Sequence, residues 1–220
     1  MISKKEIIDF FKDIIVILLV VFVIRTFFIL PFQINGQSMY TSYYDGEFII
    51  VDRFSYRFLH KPNRGDVIVF KPHVSQEKQY FLKRIIGLPG DKIKIEGGKV
   101  YVFSKSKNKF IELDEKYLSQ ENNKATYVSG DKGSHIYEVP EDSYFVMGDN
   151  RNHSTDSRAC FSSCYIDGST NFIKTDDITG KLFLDLGYFR ISKFDFVHPA
   201  LGIITKPKWF NTSSEYDYGI

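Results

Sequence analysis

The sequence predicts a mainly β fold, in which a single N-terminal transmembrane helix is followed by a β-rich domain with a small inserted lobe. Two patterns lead to this prediction. Residues 14–24 are uniformly apolar, whereas beyond Pro31 short apolar runs alternate with polar residues between glycine-containing turns, as in half-buried strands. The chain has 220 residues, including 21 Phe and 14 Tyr, and aromatic residues favour strands. This length suits one domain, or one domain with an inserted lobe.

The N-terminal apolar segment is long enough to suggest a membrane anchor. It is interrupted at residues 25–26 and resumes to Leu30, which approaches the roughly 20 residues that cross a bilayer. We therefore predict a cytoplasmic tail at 1–12, a transmembrane anchor at 13–31 and an extracytoplasmic domain at 32–220, because the short tail carries lysines. No small-x-small cleavage site follows the segment, so the anchor should be retained. The alternative is a buried helix of a soluble domain.

Strand predictions follow from alternating apolar runs that are preceded by turn residues. The predicted strands are Glu47–Val51, Asp66–Phe70, Lys92–Glu96, Lys99–Phe103, Tyr144–Met147 and Lys181–Leu184. Gly97 and Gly98 separate two of them and predict a hairpin with a two-residue turn. Residues from about 105 to 139 are polar and rich in Asn, Ser and Lys, which predicts the inserted lobe.

Charge and cysteine content exclude several classes of function. The formal net charge of +2 gives no sign of a nucleic-acid partner. The two cysteines, Cys160 and Cys164, have no convergent set of further ligands, so neither a metal nor an organic cofactor is predicted. If the domain lies outside the cytoplasm, they form either a small disulfide loop or two free thiols, and the sequence leaves both open.

Ser38 and Lys83 are the candidate catalytic pair. Ser38 follows Gly36 in a strand-to-turn segment, and Lys83 lies in a strand-like stretch between the apolar residues 81–82 and 85–86. Burial there would lower the pKa of the lysine, and a cation at Arg84 would add to this if it lay close. A neutral lysine can serve as the base for a serine nucleophile without histidine. A turn serine and a strand-edge lysine are the ordinary alternatives, and the histidines offer no better base.

Read in order, the motifs of this chain resemble those of bacterial type I signal peptidases, which are membrane-anchored serine–lysine endopeptidases. The resemblance covers about residues 24–183. It rests on Ile24–Phe27 leading to Pro31, Gly36–Met39 with Asp45–Glu47, Arg64–Phe70, Lys83–Asp91 and Gly148–Arg158.

The resemblance implies a role for each site residue. Ser38 would be the nucleophile, with its backbone N–H as oxyanion donor, and Lys83 the general base, whose amine Ser154 orients. The supporting charged residues would be Arg84, Asp149, Arg151, Asp156 and Arg158. The pockets for small side chains before the cleaved bond would be lined by Ile34, Met39, Tyr43, Phe81 and Leu82.

The resemblance also implies partners and a location. These are the signal peptides of exported preproteins, the lipid bilayer and, as a further candidate, the secretion translocon. The enzyme would cross the bacterial cytoplasmic (inner) membrane once, with its N-terminus in the cytoplasm. Thr41 departs from the family, which usually has proline there, and this predicts a looser turn after Ser38. The alternative function is a weakened homologue that binds signal peptides or translocon partners without cleavage.

Overall fold

The computed structural model describes residues 3–72, 79–128, 131–190, 192–198, 201–204 and 207–209. Residues 129–130 of the predicted lobe and 210–220 of the predicted domain lie outside these ranges. In chain order the strands are β1 (Ile29–Gln33), β2 (Phe48–Asp52), β3 (Val67–Phe70), β4 (Phe81–Gly87), β5 (Lys92–Glu96), β6 (Lys99–Ser104), β7 (Lys109–Glu112), β8 (His135–Glu138), β9 (Ser143–Met147), β10 (Ile173–Lys174), β11 (Ile178–Gly187) and β12 (Lys208–Trp209). The helices are α1 (Lys4–Val23) and α2 (Phe54–Phe58), with a π-helical turn at Ile24–Phe28 and 3₁₀ turns at Ser157–Ser162 and Thr175–Asp177.

The N-terminal segment departs from the predicted single apolar helix at 13–31. Helix α1 begins at a capping box, in which the Ser3 and Glu6 side chains each accept the other's backbone N–H. Charged residues occupy its first turns, and the last residues of the predicted anchor belong to β1. Among the described residues, no helix is both long enough and apolar enough to cross a membrane.

A twisted antiparallel main sheet contains most of the core. Within the described ranges it has eight strands in the order β1-β2-β11-β3-β4-β9-β10, with β12 paired to β11. Every residue of β3 and β9 is buried, because these strands are central and covered on both faces. The mainly β fold and the four strands predicted along this sheet are therefore confirmed, with ends that differ by a few residues.

In the part of the chain that the structure describes, a second sheet has four strands in the order β7-β6-β5-β8 and packs against the first. Gly97 and Gly98 connect β5 to β6 with φ of 58° and 78°, which is the geometry of a type I′ turn, so the predicted hairpin is confirmed. Strands β7 and β8 fall within residues 105–139, but the sheet begins earlier, at Lys92. Its apolar cluster is shared with the main sheet and includes Ile86, Ile93, Val102, Phe145 and Met147.

The two cysteines are joined. Cys160 and Cys164 form a disulfide within and just after the 3₁₀ turn at Ser157–Ser162, which decides between the two alternatives that the sequence left open. The ring of Phe161, inside this loop, packs against Phe70 and Phe81, with centroids 5.6 and 6.1 Å away. The disulfide loop therefore packs against one face of the strand pair β3–β4.

Candidate active site

Ser38 lies in a turn between β1 and β2, as predicted. The turn is closed after the serine, because the backbone N–H groups of Ser42 and Tyr43 both donate to the Met39 carbonyl at 2.9 Å. Gly36 adopts φ of +107°, which favours glycine, and its N–H donates to Asp45 Oδ1 at 2.7 Å. Hydrogen bonds thus hold this turn on both sides of Ser38. They do so although Thr41 stands where the family named above usually has proline, the substitution from which a looser turn was predicted.

Lys83 projects from β4 toward that serine. Its Nζ lies 2.6 Å from Ser38 Oγ and 3.0 Å from the Leu82 carbonyl, and the residue is only 3% exposed. The two candidates are 45 residues apart in sequence, and the fold brings them into hydrogen-bonding contact. A serine in contact with a buried amine is the arrangement that a serine–lysine hydrolase requires.

The surroundings of Lys83 favour its neutral form. Burial lowers the pKa of Lys83 to about 8; Asp156 and Asp149 oppose this, and Arg158 adds to it. The cation that assists is therefore Arg158 rather than Arg84. An amine with a pKa near neutrality can accept a proton at physiological pH.

Arg84, the residue after Lys83, forms a buried ion pair with Asp149. Its Nε and Nη2 donate to the two oxygens of Asp149 at 2.9 and 2.6 Å, and its Nη1 donates to the Gly65 carbonyl at 2.9 Å. The guanidinium also lies 4.0 Å from the ring centroid of Tyr117. Burial alone would lower the pKa of Arg84, but Asp149 outweighs it and raises that pKa. The pair fixes β4 one residue after the lysine.

Asp156 and Arg158 form a second buried ion pair close to Lys83. Arg158 donates through Nε and Nη2 to the Asp156 carboxylate, both at 2.9 Å, and the Gly148 N–H donates to it at 3.1 Å. Burial would raise the pKa of Asp156, but Arg158 outweighs this effect and the pKa is lowered. Asp156 therefore stays charged and links the end of β9 to the loop that carries Ser154.

Ser154 lies beside this pair rather than on the lysine. Its Oγ is buried and makes no regular hydrogen bond to any described residue, although it is close enough to Asp156 to help keep the pKa of that carboxyl low. The hydrogen bond from Ser154 to the Lys83 amine that the resemblance implies is thus not formed in this structure. A Cβ atom on Gly148 would collide with both Ser154 Oγ and the Ser38 carbonyl, so only glycine fits between them.

A groove of about 280 Å³ opens beside Ser38 and Lys83. Four of the predicted pocket residues line it, namely Ile34, Met39, Phe81 and Leu82. Tyr43 does not: it is 1% exposed and belongs to the apolar cluster with Ile49 and Val67, because the closed turn directs it into the core. The lining also includes residues that the sequence did not suggest, among them Phe32, Tyr80, His153 and Thr155.

Comparison with known proteins identifies the family. Residues 7–186 match the family model described as "Signal peptidase, peptidase S26". The chain belongs to this family. The family predicted from the motifs, and with it the class of serine endopeptidase, is therefore confirmed.

Several curated bacterial proteins are similar over most of their length. Signal peptidase I P of Bacillus subtilis subsp. natto is 38% identical over 161 residues, which are 71% of this chain and 80% of that protein. Signal peptidase I S of Bacillus subtilis (strain 168) is 31% identical over 78% of this chain and 90% of that protein. Signal peptidase I U of the same strain is 40% identical over 66% and 74%. A crystal structure of a signal peptidase I from Enterococcus faecalis V583 aligns with 28% identity over 56% of this chain and 97% of that one, with a TM-score of 0.40.

Two residues of this signal peptidase family member hold the site together but were not predicted from the sequence. The Asn150 backbone N–H donates to the Ser38 carbonyl, and its side-chain Nδ2 donates to the Gln37 carbonyl, both at 3.0 Å. Glu115 lies in the connection between β7 and β8, and its carboxylate accepts hydrogen bonds from both terminal nitrogens of Arg151. Asn150 thus ties the block at 148–158 to the turn at 36–43, here called the nucleophile turn because it carries the candidate nucleophile Ser38, and Glu115 ties the same block to the second sheet.

Proposed function

We propose that this protein is a serine–lysine endopeptidase that removes N-terminal signal peptides from exported preproteins. Membership of the signal peptidase family supports the substrate class. The observation that supports the chemistry is the 2.6 Å contact between Ser38 Oγ and the buried Nζ of Lys83. Because a cleaving enzyme needs this pairing and a binding protein does not, it favours catalysis over the non-cleaving alternative.

The proposed reaction uses Lys83 first as base and then as acid. The neutral amine takes the proton of Ser38 Oγ as that oxygen attacks the carbonyl carbon of the scissile bond, and the Ser38 N–H stabilises the oxyanion. The resulting ammonium donates its proton to the departing amine, which leaves an acyl-enzyme on Ser38. Water then attacks the ester with Lys83 again as base, and Ser38 is restored. With a pKa of about 8, roughly one lysine in ten is neutral at pH 7.

Ser154 is proposed to orient the lysine during this cycle. Its hydroxyl is buried close to Asp156 without a regular hydrogen bond, and a buried hydroxyl without a partner costs about 1–3 kcal/mol. Rotation of the Ser154 side chain toward Lys83 would remove that cost, because Oγ could then accept a hydrogen bond from the ammonium that Lys83 becomes after it takes the proton of Ser38. Arg84, Asp149, Arg151, Asp156 and Arg158 are proposed to hold this geometry without touching the substrate.

The groove is proposed to bind the signal peptide as an added strand between two open strand edges. Among the residues that the structure describes, strand β1 pairs only with β2, and Pro31 within it suits an edge. On the side of β4 that faces β9, pairing begins at Arg84, so that Phe81–Lys83 remain open there. An extended peptide can add to such edges through its main chain, while pockets select alternate side chains. Ile34, Met39, Phe81 and Leu82, which line the groove, are proposed to limit these pockets to side chains of about the size of alanine.

The N-terminal segment is proposed to anchor the enzyme at the bacterial cytoplasmic membrane, with the charged tail inside, the apolar segment before β1 as the anchor and the β-rich domain outside. The apolar side chains between Ile7 and Phe28 are exposed to a degree unusual for a water-facing helix. The Cys160–Cys164 disulfide suits an oxidising compartment. Protease added to intact spheroplasts should digest the domain, whereas digestion only after lysis would contradict this orientation. The bilayer and the secretion translocon are the proposed partners.

The test is cleavage of a preprotein whose signal ends in Ala-x-Ala, by detergent-solubilised wild type and Ser38→Ala side by side. Wild type should cut after the second alanine, as read by N-terminal sequencing of the product, and the variant should not cut. Cleavage by both would place the activity elsewhere. Binding without cleavage by both would support the non-cleaving alternative.

A further inference from the structure

The chain continues past the residues that the family model matches and returns to the nucleophile turn. The match ends at residue 186, and the described residues from Gly187 to Ile204, here called the C-terminal strap, follow. Backbone bridges close the strap on itself at Arg190–Asp195 and Val197–Ile204. Tyr188 packs against the turn before β2, where a Cβ on Gly46 would lie 3.1 Å from its ring.

His198 is the point at which the strap touches the turn. Residues 192–194 are exposed and residues 195–197 are partly buried, whereas His198 is only 6% exposed. Its Nε2 lies 2.7 Å from the Asp45 carbonyl, and a carbonyl can only accept, so Nε2 carries the proton. Two backbone hydrogen bonds fix the histidine, from its own N–H to the Ile203 carbonyl and from the Gly202 N–H to its carbonyl.

Asp45 connects His198 to the segment that carries Ser38, because it makes a hydrogen bond to each. The Asp45 backbone carbonyl accepts a hydrogen bond from His198. The Asp45 side-chain carboxylate accepts a second one, from the Gly36 N–H at 2.7 Å. Gly36 is two residues before Ser38, and the next residue after Asp45 is also anchored, since the Gly46 N–H donates to the Ile34 carbonyl at 2.8 Å. A continuous set of hydrogen bonds therefore runs from His198 through Asp45 to the segment that sets the position of Ser38.

We propose that His198 is a positioning residue of the peptidase, which acts through Asp45 to fix the nucleophile turn, and that the C-terminal strap is part of the catalytic unit. This inference rests on the proposed function. His198 does not touch the groove; it sets where the turn lies. Displacements of about 1 Å in a catalytic group can cost about a hundredfold in rate, so a partial loosening should lower kcat about tenfold.

The test compares His198→Phe with His198→Gln. Phenylalanine keeps a ring beside Tyr44 and Tyr188 but has no donor, whereas the glutamine amide can donate from nearly the place of Nε2. We expect His198→Phe to lower kcat about tenfold with little change in KM, and His198→Gln to restore most of it. His135→Phe is the matched control, because that histidine pairs with Asp131 on the second sheet and should leave kcat unchanged.

A double-mutant cycle tests the route through Asp45. Asp45 is exposed, so Asp45→Ala should fold, and it should lower kcat on its own. If both residues act along one route, the double variant with His198→Phe should be no slower than the worse single variant. Unchanged kcat in His198→Phe or in Asp45→Ala, or purely additive losses, would overturn the inference. Absence of cleavage by the wild type would instead refute the proposed function itself.

Discussion

Replacing Lys83 with methionine should abolish cleavage and yet make the protein more stable at neutral pH. Methionine is similar in length and fills a buried space without a charge. In the wild type, burial lowers the pKa of Lys83 from 10.5 to about 8. A pKa that is lower in the folded than in the unfolded chain means that folding pays to bury the charge. At 1.36 kcal/mol for each pH unit, this cost is about 3 kcal/mol.

The sign and the pH window follow from the two protonation states. Below about pH 8 the lysine is charged in both the folded and the unfolded chain, so the cost is fully present. As the pH rises from about 8 to 10.5, the folded lysine becomes neutral while the unfolded one still carries its proton, so the cost falls steadily and is almost gone at pH 10.5. Loss of the hydrogen bond to Ser38 offsets about 1 kcal/mol of the gain in the variant, which leaves about 2 kcal/mol at pH 7.

Urea unfolding of the detergent-solubilised proteins at pH 7 and pH 10.5 measures this difference. Lys83→Met should be more stable than wild type by about 2 kcal/mol at pH 7 and should lose that advantage at pH 10.5. Lys109→Met, at an exposed position of β7, is the control and should match the wild type at both values. Equal stability of Lys83→Met and wild type at pH 7, or an advantage that persists at pH 10.5, would refute the reasoning.

Further predictions concern activity and the supporting residues. Because only neutral Lys83 is a base and its pKa is about 8, kcat/KM should rise about tenfold per pH unit up to about pH 8; a flat profile between pH 5 and 8 would exclude a lysine base. Gly148→Ala should abolish cleavage, since its Cβ collides with the nucleophile turn, and substantial activity in a folded variant would argue against that packing. Asn150→Ala removes the side-chain donor to that turn and should lower kcat about tenfold with KM little changed, as steady-state kinetics would show. Arg84→Met leaves Asp149 as a buried charge without its partner and should destabilise the fold by about 3–5 kcal/mol in urea unfolding; a loss below 1 kcal/mol would show that the pair contributes little.

Local patterns in the sequence were sufficient where a single segment decides the structure. The Gly97–Gly98 turn and its two strands were predicted correctly because turn type and strand alternation are properties of neighbouring residues. The burial of Lys83 was also predictable, since apolar residues lie on both sides of it in the sequence. Strand β1 was missed because Ile29–Pro31 continue an apolar run, and an edge strand that follows a helix has no boundary in hydrophobicity alone.

The site residues that the sequence could not reveal depend on contacts between distant segments. Asn150 meets Gln37 across 113 residues, and His198 meets Asp45 across 153 residues, so no local pattern marks either as a positioning residue. The resemblance implied that Tyr43 lines the groove, but the turn reverses the chain and buries this side chain. The motifs thus indicated which segments form the site, but not which way each side chain faces.

The contact between the two sheets makes the stability of each sheet depend on the other. Residues 92–138 form one contiguous segment of the chain, which suggests that they could be deleted to obtain a smaller peptidase. Their removal would strip Arg151 of the Glu115 carboxylate and expose the apolar faces of Ile86 and Phe145, which are fully buried in the shared cluster. Removal of the second sheet should therefore destabilise the first, and the two sheets should unfold in one cooperative step.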